Sequence, residues 1–87
     1  QYSIVKEKFP FSGDLKGLEN ALETRFSGRL NTLDGIRIDM EKCWIHLRRS
    51  NTEPVMRIIA EAGSQEEARG IVEEAGEILK SFSNPST

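Results

Sequence analysis

With one cysteine in 87 residues, the chain has no internal disulfide to rely on. A lone thiol favours a reducing, cytoplasmic setting over a secreted one. Histidine is equally scarce: His46 is the only one, and Cys43 lies three residues before it on the same strand-like run. No further nitrogen or sulfur ligand stands at metal spacing, so the pattern argues against a metal site, and a Cys–His nucleophile would need two side chains that fall on opposite strand faces. No apolar run approaches the roughly 18 residues of a membrane-spanning helix, and no secretory leader opens the chain. Basic excess is missing too. A net charge of −2 argues against general nucleic-acid binding, which calls for a strongly basic face. An RNA-binding sheet would also need exposed aromatics on its central strands, where only Trp44 qualifies.

What is present suits one small globular domain with a modest core, 37% hydrophobic and 30% charged. Gln1 is an unusual first residue and fits a piece of something longer. Charge is unevenly spread. Residues 25–60 carry seven Arg or Lys against four Asp or Glu, whereas residues 61–87 carry two against six.

Hydrophobic spacing predicts the elements. Tyr2–Lys6 reads as a short strand ended by Pro10. Leu15, Leu18, Leu22 and Phe26 recur at intervals of three and four, one stripe of a helix capped by Asp14 and stopped at Gly28. Asn31–Gly35 reads as a loop. Three strands with period-two alternation follow: one around Ile36, Ile38 and Met40, one around Ile45 and Leu47, and one around Met56, Ile58 and Ala60. Glu41-Lys42 and Ser50–Glu53 supply the turns. Ser64-Gln65-Glu66-Glu67 is a capping box, and the helix after it places Ala68, Ile71, Val72, Ala75, Ile78, Leu79 and Phe82 on one side. This order predicts an α+β two-layer sandwich, with a four-stranded, mainly antiparallel sheet and both helices on one face. The expected core includes Leu18, Leu22, Ile36, Ile38, Ile45, Leu47, Met56, Ile58, Ile71, Ala75 and Ile78. By parity Trp44, Val55 and Ile59 face away from the helices.

The turn after Leu47 carries the most chemistry. Arg48-Arg49-Ser50-Asn51-Thr52 places two permanent positive charges, two hydroxyls and an amide in five residues, with Glu53-Pro54 behind them and Arg57 on the outgoing strand. Guanidinium groups offer planar paired donors to phosphate oxygens, and small polar residues allow a tight turn with inward N–H groups. If Arg49 pairs with Pro54, Leu47 lies opposite Met56, His46 opposite Arg57 and Arg48 opposite Val55. Arg48 and Arg57 then share the outer face as diagonal neighbours, while Arg49 points toward the helices. Arg48 is the better phosphate ligand of the adjacent pair.

Arg48-x-Ser50-Asn51-Thr52-Glu53-Pro54 with Arg57 nine positions after Arg48 resembles the phosphate-binding loop of the α-D-phosphohexomutases, the phosphoglucomutase, phosphomannomutase and phosphoglucosamine mutase group. Asp34-Gly35-Ile36-Arg37-Ile38, Trp44, Arg57–Ala62 and Glu66-Glu67-Ala68 extend the likeness from about Tyr2 to Phe82. The resemblance is to the last of four domains, with its TBP-like fold. It implies that residues 1–87 form a single C-terminal substrate-phosphate-binding domain with a frayed tail at 82–87. It also implies that Arg48, Ser50, Asn51, Thr52 and Arg57 hold the phosphate of a hexose phosphate, with Glu53 as support for an arginine. Asn51 stands where the family often has Gly. Ser-Asn-Thr leans toward the phosphomannomutase and phosphoglucomutase branch, without deciding which hexose is used. The phosphorylated serine and the Asp-rich Mg2+ loop would lie in other domains of the same enzyme. This chain alone would then hold no catalytic residue, no cofactor and no metal, and would be inactive. The competing reading is a stand-alone module that binds phosphate or a phosphopeptide through the same loop.

Overall fold

The computed structural model describes residues 1–83. Its elements run β1 (Ser3–Pro10), α1 (Leu15–Arg25), β2 (Arg29–Asn31), β3 (Ile36–Asp39), β4 (Trp44–Arg49), β5 (Val55–Ala62) and α2 (Gln65–Phe82). The strands form one antiparallel sheet in the order β1-β5-β4-β3-β2. The α+β architecture is as expected, with five strands instead of four.

The additional strand, β2, has three residues, and only Leu30 leans on the core. Three residues are too few to display an alternation, so pairing with β3 makes the strand and its own pattern does not. The first strand also runs farther than expected. Phe9 lies opposite Met56 and Pro10 opposite Val55. Proline is tolerated there because β1 is an edge strand and Pro10 is its last residue.

One parity of each central strand is buried: Ile36 and Ile38, Ile45 and Leu47, then Met56, Ile58, Ala60 and Ala62. Against this face lie Leu18, Leu22 and Phe26 from α1 and Ala68, Val72, Ala75 and Leu79 from α2. Ile71 and Ile78, expected in the core, flank the buried stripe of α2 and are only partly covered. The stripe is centred one position farther round, on Val72 and Leu79, because 3.6 residues per turn leaves two candidate rows and contact with the sheet selects one. Leu15, the first residue of the α1 stripe, is exposed.

Both helix starts follow the sequence. The Asp14 carboxylate accepts from the Gly17 N–H at 2.9 Å, and Ser64 Oγ accepts from the Glu67 N–H at 3.0 Å. Glu67 answers through its carboxylate, which accepts from the Ser64 hydroxyl at 3.2 Å. Gly28 does not stop α1 with a left-handed residue: the cap is Phe26 in extended conformation, and the one positive-φ glycine among the described residues is Gly35. Gly28 is required for space, since a Cβ there would sit 2.3 Å from the Asp39 carbonyl oxygen. At the other end, Phe82 closes α2 and its carbonyl accepts from the Asp14 N–H at 3.1 Å, while Ser83 bridges Gly13. Phe82 and Ser83, expected in the frayed tail, are thus held in place, and the rest of that expectation, residues 84–87, lies outside the described residues.

Burial depth predicts a clear ranking. Ile58→Ala, at a fully buried centre, should cost about 2–5 kcal/mol, and Ile71→Ala, at the margin, less than half of that. Urea unfolding of the two variants measures the difference.

Candidate anion-binding site at the β4–β5 turn

The strands flanking the turn pair as Leu47 with Ile58, Arg48 with Arg57 and Arg49 with Met56, and the Ser50 N–H donates to the Val55 carbonyl at 3.0 Å. The register differs by two residues from the expected one, in which Arg49 met Pro54, and the loop is wider. A slip of two leaves every side chain on its predicted face. It makes Arg48 and Arg57 direct cross-strand neighbours instead of diagonal ones. His46 lies opposite Ile59, not Arg57.

On the other side of Arg57 lies Lys8 of β1. Lys8, Arg57 and Arg48 thus form a cationic row across three strands on the outer face, all three exposed. Like charges directly opposed on a sheet destabilise it. Among the described residues neither Lys8 nor Arg57 has a carboxylate partner, and Arg48 has one, Asp34. Sequence reading missed Lys8 because it ended the strand at Lys6. Continuing the alternation of Val5, Glu7 and Phe9 would have put Lys8 on the outer face; its place beside Arg57 is set by the pairing of β1 with β5.

Inside the turn, Ser50 organises the chain. Its Oγ accepts from the Thr52 N–H at 3.2 Å and the Glu53 N–H at 3.3 Å, and lies 3.4 Å from Thr52 Oγ1. The Val55 N–H donates to the Glu53 carbonyl, and the Phe11 N–H ties Pro54 to the body of the domain, both at 2.8 Å. Arg48, Arg49, Ser50, Asn51 and Arg57 line a hollow of about 210 Å³ at the tip. Thr52 is held to Ser50 but does not line it. Arg49 has the parity of the helix side; its side chain is exposed and lies with Leu15 and Glu19 of α1 around a second hollow at this end of the sheet.

Glu53 has no ion pair with Arg48 or Arg57; the carboxylate that meets an arginine belongs to Asp34, whose Oδ1 lies 3.3 Å from Arg48 Nε. Asp34 is placed by the corner it shares with Gly35. Gly35 has φ of +76°, and a Cβ there would sit 2.3 Å from the Leu47 carbonyl oxygen. His46 completes the arrangement. Its Nε2–H donates to the Asp34 carbonyl at 2.6 Å, which fixes the ring nitrogen that carries the proton. The role of the single histidine is to pin this corner onto β4.

Farther down the same face lies a second cluster. Arg37 and Asp39 are joined through Arg37 Nε and NH2, with a closest contact of 2.9 Å. The Arg37 guanidinium lies 4.3 Å from the Trp44 ring centre, and the indole N–H donates to Glu61 at 2.8 Å. The hydrogen bond to Asp39, with the charges of Asp39 and Glu61, raises the Arg37 pKa. The same hydrogen bond, with the charges of Arg37 and Arg29, lowers that of Asp39. Trp44, Val55 and Ile59 are half-buried on this helix-free face, as parity predicted. Cys43 is turned the other way, packed on the core, and burial raises its thiol pKa. It is no nucleophile for His46.

The family model for the phosphoglucomutase/phosphomannomutase C-terminal domain matches residues 3–78. The chain belongs to this family. A probable phosphoglucosamine mutase of Pyrococcus horikoshii is 37% identical over 87 residues, covering 93% of the chain and 19% of the relative. A probable phosphoglucosamine mutase of Methanopyrus kandleri is 34% identical over 83 residues, covering 91% and 18%. The phosphoglucosamine mutase of Methanocaldococcus jannaschii is 32% identical over 85 residues, covering 91% and 19%. The chain therefore spans about a fifth of the length of the curated relatives it matches. These relatives carry the phosphoglucosamine mutase name, whereas Ser-Asn-Thr leaned toward the phosphomannomutase and phosphoglucomutase branch.

The Asp39 shift has a checkable consequence. Its folded pKa lies below its unfolded value, so its contribution to stability is present at neutral pH and is lost as pH falls through the folded pKa. The stability gap between wild type and Asp39→Asn should be open at pH 7 and close below about pH 4. Arg37→Ala should return the Asp39 carboxyl to the ordinary carboxylate range in an NMR titration.

Proposed function

We propose that the β4–β5 turn binds the phosphate group of a hexose phosphate within a full-length phosphohexomutase. The observation that carries this reading is the opposition of Arg48 and Arg57, with Lys8 beside them, on one exposed face. Three like charges at adjacent register positions offset their mutual repulsion when an anion joins them. A phosphate with several oxygens suits two guanidinium groups and a turn of hydroxyl and amide donors. Arg48, Arg57, Ser50 and Asn51 meet at the hollow, and Thr52 brings its hydroxyl through Ser50.

The intact enzyme is an isomerase that moves a phosphoryl group between the 1- and 6-positions of the sugar. This domain anchors the phosphate that is not reacting, so that the other end of the sugar faces the phosphorylated serine of another domain. Binding energy gathered away from the chemistry then orients the reacting hydroxyl. A site that grips phosphate without reading the sugar serves both ends of a bisphosphate intermediate that must turn round. Mg2+ would be held by the Asp-rich loop of another domain. The outer face around Trp44 and Ile59 meets one of those domains. A lone core-packed thiol fits a reducing, cytoplasmic setting. No helix among the described residues is long and apolar enough to cross a membrane.

A charge-assisted hydrogen bond contributes about 1.5–3 kcal/mol. Arg48→Ala in the intact enzyme should lower kcat/KM by about 10- to 100-fold, and Arg49→Ala by much less. Titration of the 87-residue chain with glucose 1-phosphate and glucose 6-phosphate should shift amide resonances of residues 48–57 similarly for both ligands. Shifts confined elsewhere, or an Arg49 variant worse than the Arg48 variant, would overturn the assignment.

A further inference from the structure

Resting on the phosphate reading above, we infer that Asp34 is the counter-ion of Arg48 whenever no anion is bound, a positioning residue that competes with the anion for Arg48 and so limits how tightly the turn grips. Three observations meet here. Asp34 is the one carboxylate among the described residues within ion-pair distance of the row Lys8, Arg57 and Arg48. Its own backbone is fixed by the His46 hydrogen bond at 2.6 Å on one side and by the Gly35 corner packed on the Leu47 carbonyl on the other. Its side chain is free to act: the Asp34 and Arg48 side chains are 67% and 58% exposed.

The arrangement has two states. With no anion bound, Arg48 Nε meets Asp34, which relieves part of the repulsion along the row. A bound phosphate draws on the same guanidinium and stands near the same carboxylate, negative beside negative. Because His46 and Gly35 hold the Asp34 backbone, the carboxylate stays within reach of Arg48 when phosphate arrives, and the guanidinium is shared between a tethered anion and a mobile one. Asp34 therefore favours the empty state over the loaded one, and this difference alone shifts binding. A grip weakened in this way suits a ligand that must let go and rebind during one reaction cycle. Neither partner is marked by sequence spacing, since fourteen positions separate Asp34 from Arg48 and the pinned corner between β2 and β3 brings them together.

The test compares the 87-residue chain with Asp34→Asn and Asp34→Ala, titrated with inorganic phosphate and followed by the amide shifts of residues 48–57. Asp34→Asn keeps an acceptor for Arg48 and removes the charge. It should bind phosphate about two- to fivefold tighter at ionic strength near 0.01 M. The gain should vanish near 1 M, where the screening length is about 3 Å. In phosphate-free buffer the same variant should unfold at lower urea than wild type, and added phosphate should close that gap, because the tighter binder gains more from ligand. Asp34→Ala should also bind tighter, since the charge is what competes. Variants that bind equally or more weakly than wild type, with a stability gap indifferent to phosphate, would overturn the competition and leave the phosphate site standing. If phosphate shifts residues 48–57 in none of the three proteins, the phosphate reading fails and the competition fails with it.

Discussion

The pairing of β4 with β5 is the constraint on which the rest of the domain depends. Leu47 opposite Ile58 and Ile45 opposite Ala60 put four fully buried side chains beneath the helices. The same ladder, one residue on, opposes Arg48 to Arg57 on the other face. Core and site are therefore two sides of one register. A slip of one residue would turn the arginines into the core and the isoleucines into water, so burial that stabilises the fold also holds the cationic row in place. The row is locally unfavourable, and the hydrophobic face opposite it is what keeps it assembled.

A second layer of control comes from the other end of β3. The Asp34-Gly35 corner is shaped by a left-handed glycine in contact with the Leu47 carbonyl and is tied down by His46. Both anchoring points lie on β4, the strand that carries Arg48. The corner is thus held to the strand that carries Arg48, which puts the Asp34 carboxylate within ion-pair distance of the guanidinium. The Arg37–Asp39–Trp44–Glu61 cluster is a separate construction on the same face. Its guanidinium is saturated by a carboxylate and an indole ring, in contrast with the open row at the tip.

The proposed division of labour between this domain and the rest of a phosphohexomutase rests on that contrast. The described residues offer positive charge, hydroxyls and amides without a placed acid–base pair or a converging metal set. Such a surface offers paired donors to an anion, which is what the proposed phosphate reading requires. The relatives that the chain matches are about five times as long as the chain.

Sequence alone determined the α+β class, the buried parity of every central strand, both helix N-caps and the face on which Arg48 and Arg57 lie. Each of these rests on local periodicity or on a cap a few residues long, and a two-residue change of register leaves them intact. Tertiary structure decided what periodicity cannot carry. It added β2, whose three residues show no pattern of their own and exist as a strand because β3 is there to pair with. It extended β1 through Pro10, which an edge permits, and so brought Lys8 beside Arg57. It chose Val72 and Leu79 over Ile71 and Ile78 as the deepest row of α2. It set Asp34, not Glu53, against Arg48, because a carboxylate's nearest arginine in space is fixed by how the chain turns between strands, and that turn depends on a glycine and a histidine whose contacts are made only when β3 and β4 have come together.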